Sequence, residues 1–273
     1  FNGYIEDFRI TKGLARYPFT IVTTTLTSDS NTFLLAAHSS SATDVVGNWT
    51  VTTPDSGAPT VSNFAPFAGG KSLKFTSNDD MLLFTHTGSS SDYLIGDRND
   101  NASGNFSIEF WAYYDATSIG STTYMVSNYG GGSGAASNQT FMLGYRTSGT
   151  NLLQYRVNSA SGSGSTNSTQ ITNGATFQKW THHYIVQEYD SSSGNTYVRY
   201  YQDGASLHNY TKTSNEPLDM QRFVIGGGTG SGSSGNNYWN GYISNFRIQT
   251  GTVAIVNTAQ TTGFTPPTAE LEG

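Results

Sequence analysis

The sequence predicts an all-β protein of the sandwich type, and three observations support that class. Serine and threonine account for 71 of the 273 residues and glycine for another 31, and these residues suit strands and turns but are poor helix formers. Aromatic residues make up 13% of the chain, with 17 Tyr and 15 Phe, which is enough ring surface for a large core. Short apolar or alternating segments follow one another at close spacing with turn-forming clusters between them, as expected for a sandwich.

The charge and cysteine content exclude several classes of protein. The chain has 13 Lys and Arg against 19 Asp and Glu, a net charge of −6, and only 12% of its residues are charged. Because no basic stripe is present to neutralise phosphates, we expect no nucleic-acid partner. Cysteine is absent, so neither disulfides nor cysteine-ligated zinc can form. No apolar run approaches about 18 residues, and we therefore expect no membrane insertion.

The strongest strand signal covers residues 106–114. Apolar and polar residues alternate there as far as Trp111, which indicates one buried face and one partly buried face. We expect Trp111 and the later Phe246 to be buried aromatics, each costing about 3–5 kcal/mol of stability when truncated to alanine.

Further strand signals precede and follow this segment. A hairpin around residues 191–195 joins two later strands, Asp203-Gly204 forms the next turn, and Pro266-Pro267 ends the series. The predicted strands cover residues 73–76, 81–84, 106–114, 124–126, 141–145, 152–157, 180–186, 197–201, 223–226 and 242–248.

A repeat links the two ends of the chain. Residues 1–10 (FNGYIEDFRI) and 239–248 (WNGYISNFRI) are identical at seven of ten positions, and the offset between them is too long for a solenoid. The repeat favours tandem domains, with residues 1–20 as the C-terminal strands of a preceding copy, residues 21–268 as a complete domain and residues 269–273 as a tail. In the alternative, both segments are equivalent strands of one sandwich.

An ordered series of motifs resembles the concanavalin A-like, laminin G-like domain, in the version found in structural proteins of marine bacteriophages of the cyanophage type. The resemblance covers about residues 31–267 and implies a jelly-roll sandwich of two large antiparallel sheets. The sequence departs from the family pattern at Gln202, where a small or apolar residue is usual, and in residues 252–262. The motifs that carry the resemblance are GGKSLKF (69–75), DML (80–82), FSIEFW (106–111), WTH (180–182), YQDG (201–204), VIGG (224–227) and WNGYI (239–243).

Candidate ligand-binding residues lie beside glycine- and serine-rich segments. Residues 130–137, 159–168 and 226–235 are predicted to be loops at the rim of the sandwich, where such architectures bind ligands. Aromatic rings and amides beside these loops suit the C–H faces and hydroxyl groups of a glycan. The alternative is a set of hydrated loops without a ligand. The candidates are Tyr129, Asn138, Gln139, Asn236, Asn237 and Tyr238.

The sequence lacks the acid pair of a glycan hydrolase. Some relatives with this fold hydrolyse glycans with carboxylates at alternate positions of one strand, and a retaining mechanism needs carboxyl groups about 5–5.5 Å apart. The strand at residues 106–114 carries only Glu109, which we expect to be a surface residue, and Asp115 lies six residues further on. His182 and His183 should point to opposite faces of their strand, with His182 packed or hydrogen-bonded. We therefore expect no catalytic residues and no enzyme activity.

Calcium is the one cofactor that the resemblance raises, because laminin G-like domains often carry it at the rim. The segment 97–101 (DRNDN) places oxygen ligands at alternate positions, but it fails the EF-hand pattern because Ala102 stands where that loop needs glycine. One interpretation is a looser site formed by Asp97, Asn99, Asp79 and Asp80, and a capped polar turn is the alternative. No cofactor is expected to be required.

The resemblance and the repeat together imply a non-enzymatic virion module of a fibre, tail or capsid decoration. We expect a virion-surface or extracellular location. The expected partners are other virion proteins, further copies of the chain, and host-surface glycans. The alternatives are a purely structural, self-assembling spacer and a glycan hydrolase of the same fold.

Overall fold

A computed structural model describes thirteen segments of the chain, and their regular elements are all strands. This confirms the predicted all-β class, and none of the described residues belongs to a helix with the length and apolarity needed to span a bilayer. The described segments are residues 32–36, 49–53, 57–76, 80–89, 94–97, 104–128, 141–147, 152–159, 166–171, 173–212, 217–229, 235–251 and 263–266. The strands are β1 (Thr32–Ala36), β2 (Trp49–Thr52), β3 (Thr60–Ser62), β4 (Ser72–Thr76), β5 (Leu82–His86), β6 (Leu94–Ile95), β7 (Phe106–Tyr114), β8 (Thr123–Asn128), β9 (Phe141–Arg146), β10 (Leu152–Ser159), β11 (Thr166–Ile171), β12 (Trp180–Asp190), β13 (Asn195–Gln202), β14 (Ala205–Lys212), β15 (Leu218–Asp219), β16 (Arg222–Ile225), β17 (Gly228–Thr229), β18 (Gly235–Asn236) and β19 (Asn240–Thr250).

The strands form two large antiparallel sheets, as expected. The eight-stranded sheet runs β14-β13-β12-β7-β19-β4-β3, with β1 added to β19. Strand β4 pairs with the first half of β19 and β1 with its second half, and a bulge separates the two halves. The seven-stranded sheet runs β11-β10-β9-β8-β16-β5-β2, and the pairs β15-β6 and β17-β18 form two small sheets.

An aromatic core lies between the two large sheets. On β7, Phe106, Ile108 and Phe110 point into this core and are fully buried. The ring of Phe246 on β19 lies 5.5 Å from that of Phe110 and 5.1 Å from that of Phe223 on the opposite sheet. Phe246 therefore joins the two layers, which confirms its expected burial.

Two chain segments cover the outer face of the eight-stranded sheet. Residues 62–71 cross it and place Phe67 5.3 Å from Trp111, and Ser244 Oγ donates a hydrogen bond to the carbonyl of Lys71. Residues 263–266 cross it elsewhere and place Phe264 within 5.4 Å of the Tyr184 and Tyr201 rings. Trp111 lies on this outer face and is only half-buried. The expectation of a buried Trp111 is therefore wrong.

The turn predictions hold where the structure describes them. Residues 191–194 connect β12 to β13. Asp203 and Gly204 connect β13 to β14 with φ of 47° and 76°, which is the signature of a type I′ hairpin turn. The unusual Gln202 donates its side-chain amide to the carbonyl of Gly174 over 2.8 Å.

Two of the predicted glycine-rich loops contain strands. Residues 166–168 of the second loop begin β11. Residues 228–229 and 235 of the third loop belong to the β17-β18 pair, which continues to residue 236. Hydrogen bonding of the backbone does not depend on apolar side chains, and so composition alone did not reveal these strands. The first predicted loop, residues 1–20 and the tail at 269–273 lie outside the described residues, and the domain division stays a prediction.

Candidate functional site

Three neighbouring strands bring Glu109, His182 and Arg247 together beneath the covering segments. His182 Nε2 and Glu109 Oε1 are 2.9 Å apart, and Arg247 Nη2 donates to Glu109 Oε2 over 2.8 Å. The pairing of β7 with β12 and β19 sets this geometry, since Glu109 lies directly opposite Arg247. Each oxygen of the carboxylate thus accepts a hydrogen bond from a different strand.

The electrostatic environment keeps Glu109 ionised. Burial would raise the pKa of its carboxyl group, but the hydrogen bond from His182 and the charge of Arg247 outweigh burial and hold the pKa below its ordinary value. A carboxylate can only accept hydrogen bonds. His182 Nε2 is therefore the donor in this pair.

Glu109 was expected at the surface, and that expectation is wrong. Its side chain is 1% exposed. The rings of Trp111 and Phe264 lie 5.1 Å and 6.0 Å from that of His182 and close the cluster from outside. Sequence reasoning missed this burial because the cover comes from a part of the chain distant in sequence.

The described residues of β7 offer no reactive acid pair. Ser107 and Trp111 are the neighbours of Glu109 on the same face of β7. The exposed Asp115 is six residues further on, which corresponds to about 20 Å of extended strand. Glycosidase carboxyl groups lie between about 5 and 9.5 Å apart. This part of the molecule can hold a charge cluster rigidly, but it does not present two carboxylates to a substrate.

The two adjacent histidines point to opposite faces, as expected. His183 faces the core, where its ring stacks 5.1 Å from Phe110 and its Nδ1 lies 2.8 Å from the Tyr200 hydroxyl. Burial, with a contribution from His182, lowers the pKa of His183 to about 3. His182 is hydrogen-bonded on the outer face, and that expectation is confirmed.

The rim candidates are described only in part. Asn237 and Tyr238 follow the β17-β18 hairpin and are half-buried. The carbonyl of Asn237 accepts a hydrogen bond from the Tyr124 amide over 2.8 Å, and Tyr238 packs against Met81 and Val224. Asn236 lies in β18, and nothing is described of its side chain. Tyr129, Asn138 and Gln139 lie outside the described residues.

Two of the four calcium candidates, Asp80 and Asp97, lie among the described residues. Asp80 is largely buried, and its Oδ2 accepts hydrogen bonds from the amide and hydroxyl of Thr76 over 2.9 and 2.5 Å. These bonds agree with the alternative in which Asp80 caps a polar segment, and the calcium site stays a prediction. Asp97 follows β6, whereas Asp79 and Asn99 lie outside the described residues. Among the residues that the structure describes, no group of three or more His, Asp or Glu could hold a metal ion.

An aromatic cluster on the outer face was not predicted. Phe64, in the covering segment 62–71, lies 4.8 Å from the ring of Tyr113, 5.4 Å from Trp180 and 4.9 Å from Tyr242. Phe64 is 43% exposed, and the other three are half-buried. Each of the three occupies an outward-facing position of its strand. That these positions lie next to each other can be seen only once the pairing registers of the strands are known.

Comparison with known proteins identifies the family and the fold. A family model described as the concanavalin A-like lectin/glucanases superfamily, laminin G type, matches residues 87–254. No curated protein sequence matches the chain.

Three solved structures are among those similar to this chain. A carbohydrate-binding module of a Ruminococcus gnavus sialidase, bound to α2,3-sialyllactose, is 12% identical over 56% of this chain and 78% of its own, with a TM-score of 0.42. The alginate lyase vAL-1 from Chlorella virus is 13% identical over 75% and 93%, with a TM-score of 0.41. A legume lectin-like domain from Entamoeba histolytica is 11% identical over 75% and 88%, with a TM-score of 0.40.

The family match covers more than half of the chain and spans strands β6 to β19. On these grounds, the chain belongs to the concanavalin A-like lectin/glucanases superfamily.

Proposed function

We propose that the protein is a non-enzymatic carbohydrate-binding module of a virion surface, located in a fibre, tail or capsid decoration. Its partners are host-surface glycans and neighbouring virion subunits or further copies of itself. Membership of a lectin-like superfamily supports the glycan part of the proposal. The ordered motifs and the repeat between residues 1–10 and 239–248 support a place in a modular virion protein.

The proposal that the protein is not an enzyme rests on the burial and hydrogen bonding of Glu109. Both oxygens of this carboxylate accept hydrogen bonds, from His182 and Arg247, and the side chain is almost fully buried. A general acid or nucleophile must reach its substrate directly or through one water molecule. A carboxylate held in this way stabilises the sheet instead.

We propose further that the module requires no cofactor. Calcium, if bound at the rim near Asp97, is not required for folding. Addition of EDTA is expected to leave the melting temperature unchanged, whereas a fall of several degrees that calcium reverses would argue for a structural calcium site.

A glycan array, followed by titration calorimetry with the glycans retained, tests the proposal. We expect binding without any change in the glycan, measured by release of reducing ends over a day. The Glu109→Gln variant, refolded and checked by circular dichroism, should retain binding. Cleavage by the wild type that this variant loses would favour the hydrolase. Absence of binding to the array and to host cells would favour a spacer.

A further inference from the structure

The outer face of the eight-stranded sheet carries a continuous row of side chains at one end. Lys74 on β4 lies directly opposite Tyr242 on β19, Tyr242 opposite Tyr113 on β7, and Tyr113 opposite Trp180 on β12. With strands spaced about 4.8 Å apart, this row is about 14 Å long, the length of a short oligosaccharide. Phe64 stands over its middle and contacts all three rings.

Positive charge is concentrated beside this row. The Lys74 ammonium lies 5.7 Å from the centre of the Tyr242 ring. Lys71 donates a hydrogen bond to the exposed Asn63 on the segment that carries Phe64. Lys179 precedes Trp180 and is 61% exposed, although it is paired with Asp203. Of the five lysines of this acidic chain, Lys74 therefore contacts the row, and Lys71 and Lys179 lie close to its residues in sequence.

The row also contains an unused hydrogen-bond donor. Trp180 Nε1 is buried and has no hydrogen-bond partner among the described residues. A buried N–H without an acceptor costs free energy. Trp111 Nε1 and Trp239 Nε1 also lack a partner among the described residues, so this donor agrees with an oxygen-rich ligand along the row but does not single the row out.

The size of the patch favours a small ligand over a protein. Each aromatic side chain has about 150–250 Å² of surface, and the three in this row are half-buried whereas Phe64 is more exposed. The exposed remainder falls well short of the roughly 800 Å² per partner of a stable protein interface. Aromatic faces carry negative charge density, which matches the weakly positive C–H faces of a sugar ring.

We infer that the Lys74–Tyr242–Tyr113–Trp180 row, with Phe64, is a binding site for an anionic oligosaccharide that carries carboxylate or sulfate groups. The sugar faces stack on the rings and the acidic groups lie near Lys74 and Lys71. This inference rests on the proposed function, and it places the site on the sheet face instead of at the rim residues Asn237 and Tyr238.

Titration calorimetry with three oligosaccharide probes tests the inference. Oligogalacturonate carries carboxylates, κ-carrageenan oligosaccharide carries sulfates, and neoagaro-oligosaccharide is a neutral relative of the latter. We expect at least one acidic probe to bind about tenfold or more tightly than the neutral one, with an affinity that falls as salt rises. The acidic probe that binds shows whether the site recognises carboxylate or sulfate groups.

Variants then locate the site. Phe64→Ala, on an exposed segment, and Lys74→Gln should each weaken acidic-probe binding about fivefold or more, and Lys74→Gln should also reduce the salt dependence. Trp180→Phe removes the indole N–H donor. Because the variant keeps an aromatic ring at this position, it should still fold. Arg222→Gln, which removes one positive charge from the opposite sheet, is the control and should bind as the wild type does. Tyr238→Ala tests the competing site at the rim.

The outcomes separate this inference from the proposed function. If Tyr238→Ala abolishes glycan binding while Phe64→Ala and Lys74→Gln leave it intact, the inference fails and the function stands. Equal affinities for the acidic and neutral probes would overturn the inference that the ligand is anionic. A wild-type dimer that Phe64→Ala dissociates in sedimentation experiments would identify a second copy as the occupant. Absence of binding to every glycan would overturn both.

Discussion

His182 Nε2 donates a 2.9 Å hydrogen bond to Glu109 Oε1 across the β12-β7 pair, and both side chains are almost fully buried. The carboxylate thereby links two strands, and Arg247 extends the link to a third. A buried carboxylate that would be costly by itself is kept ionised by its partners. The cluster therefore acts in stability, and several measurable consequences depend on it and on the segments that cover it.

Replacing Glu109 by glutamine should destabilise the fold strongly. The substitution keeps the shape of the side chain but leaves Arg247 without its anionic partner, and breaking a buried pair in this way costs about 3–5 kcal/mol. Urea unfolding at pH 7, followed by tryptophan fluorescence, measures the loss. We expect a value at the lower end of the range because Arg247 is 15% exposed.

Glu188→Gln is the matched control for that substitution. Glu188 also pairs with an arginine, since Arg199 Nη1 donates to its Oε2 over 2.9 Å. Burial raises the pKa of Glu188 despite the attraction of Arg199, so ionised Glu188 gains less from folding than ionised Glu109 does. Arg199 is only 3% exposed, but its contact with the Tyr197 ring remains in the variant and offsets part of the loss of its anionic partner. Equal losses for the two variants would contradict the special role of the Glu109 cluster.

Stability should decline as the solution is acidified below pH 6.5, and His183 should be a principal cause. Burial lowers its pKa in the folded state from 6.5 to about 3. Between these values the unfolded chain binds the extra proton, so the free energy of unfolding falls with falling pH, by up to about 1.4 kcal/mol per pH unit for one proton. Burial lowers the pKa of His208 as well, and it contributes in the same direction.

Urea unfolding of the wild type and of His183→Gln at pH 7, 6 and 5 checks this dependence. Glutamine can bond the Tyr200 hydroxyl but does not titrate in this range, so the slope should become shallower in the variant. His208→Gln should reduce the slope less, because His208 is only partly buried. These pH values stay above the range where Glu109, whose pKa is lowered, begins to lose its contribution. An unchanged slope in His183→Gln would mean that this ring is protonated in the fold.

Features that depend on residues adjacent in sequence were predicted, and features that depend on distant segments were not. Strand β7 was predicted with its observed bounds, because alternation over nine residues is a local signal. Strand β14 was missed, since its sequence ASLHNYTK is polar and forms a sheet edge. The burial of Glu109 could not be read from β7, because its cover comes from Phe264, 155 residues away. The aromatic row beside Lys74 likewise depends on registers between strands distant in sequence.

Truncation of Phe246 and Trp111 should give clearly different losses of stability. Phe246 is fully buried between the two sheets, so Phe246→Ala should cost about 3–5 kcal/mol. Trp111 packs against Phe67 on the half-buried outer face, and Trp111→Ala should cost about 2 kcal/mol. Urea unfolding followed by far-UV circular dichroism measures both, because one variant lacks a fluorophore. A larger loss for Trp111→Ala would show that the outer face is as tightly packed as the core.

The turn at Gly204 should control how the segment 263–266 packs on the sheet. Gly204 has φ of +76°, and a Cβ there would lie 1.8 Å from the carbonyl oxygen of Phe264. The Phe264 amide also donates to the Gly204 carbonyl over 2.8 Å. Gly204→Ala should therefore push the segment away and expose Tyr184 and Tyr201, in addition to the backbone strain of about 1–2 kcal/mol.

Gly194→Ala provides the matched comparison. Gly194 has a similar φ of +69°, but a Cβ there would meet nothing within 4 Å, so only the backbone strain remains. Hydrogen–deuterium exchange should show faster exchange in β13 and its neighbour β12 for Gly204→Ala, with little change there for Gly194→Ala. Because Phe264 closes over His182, the Gly204 variant should also weaken the protection of the Glu109 cluster. Equal exchange and equal unfolding free energies in the two variants would show that the Phe264 segment does not depend on close packing against Gly204.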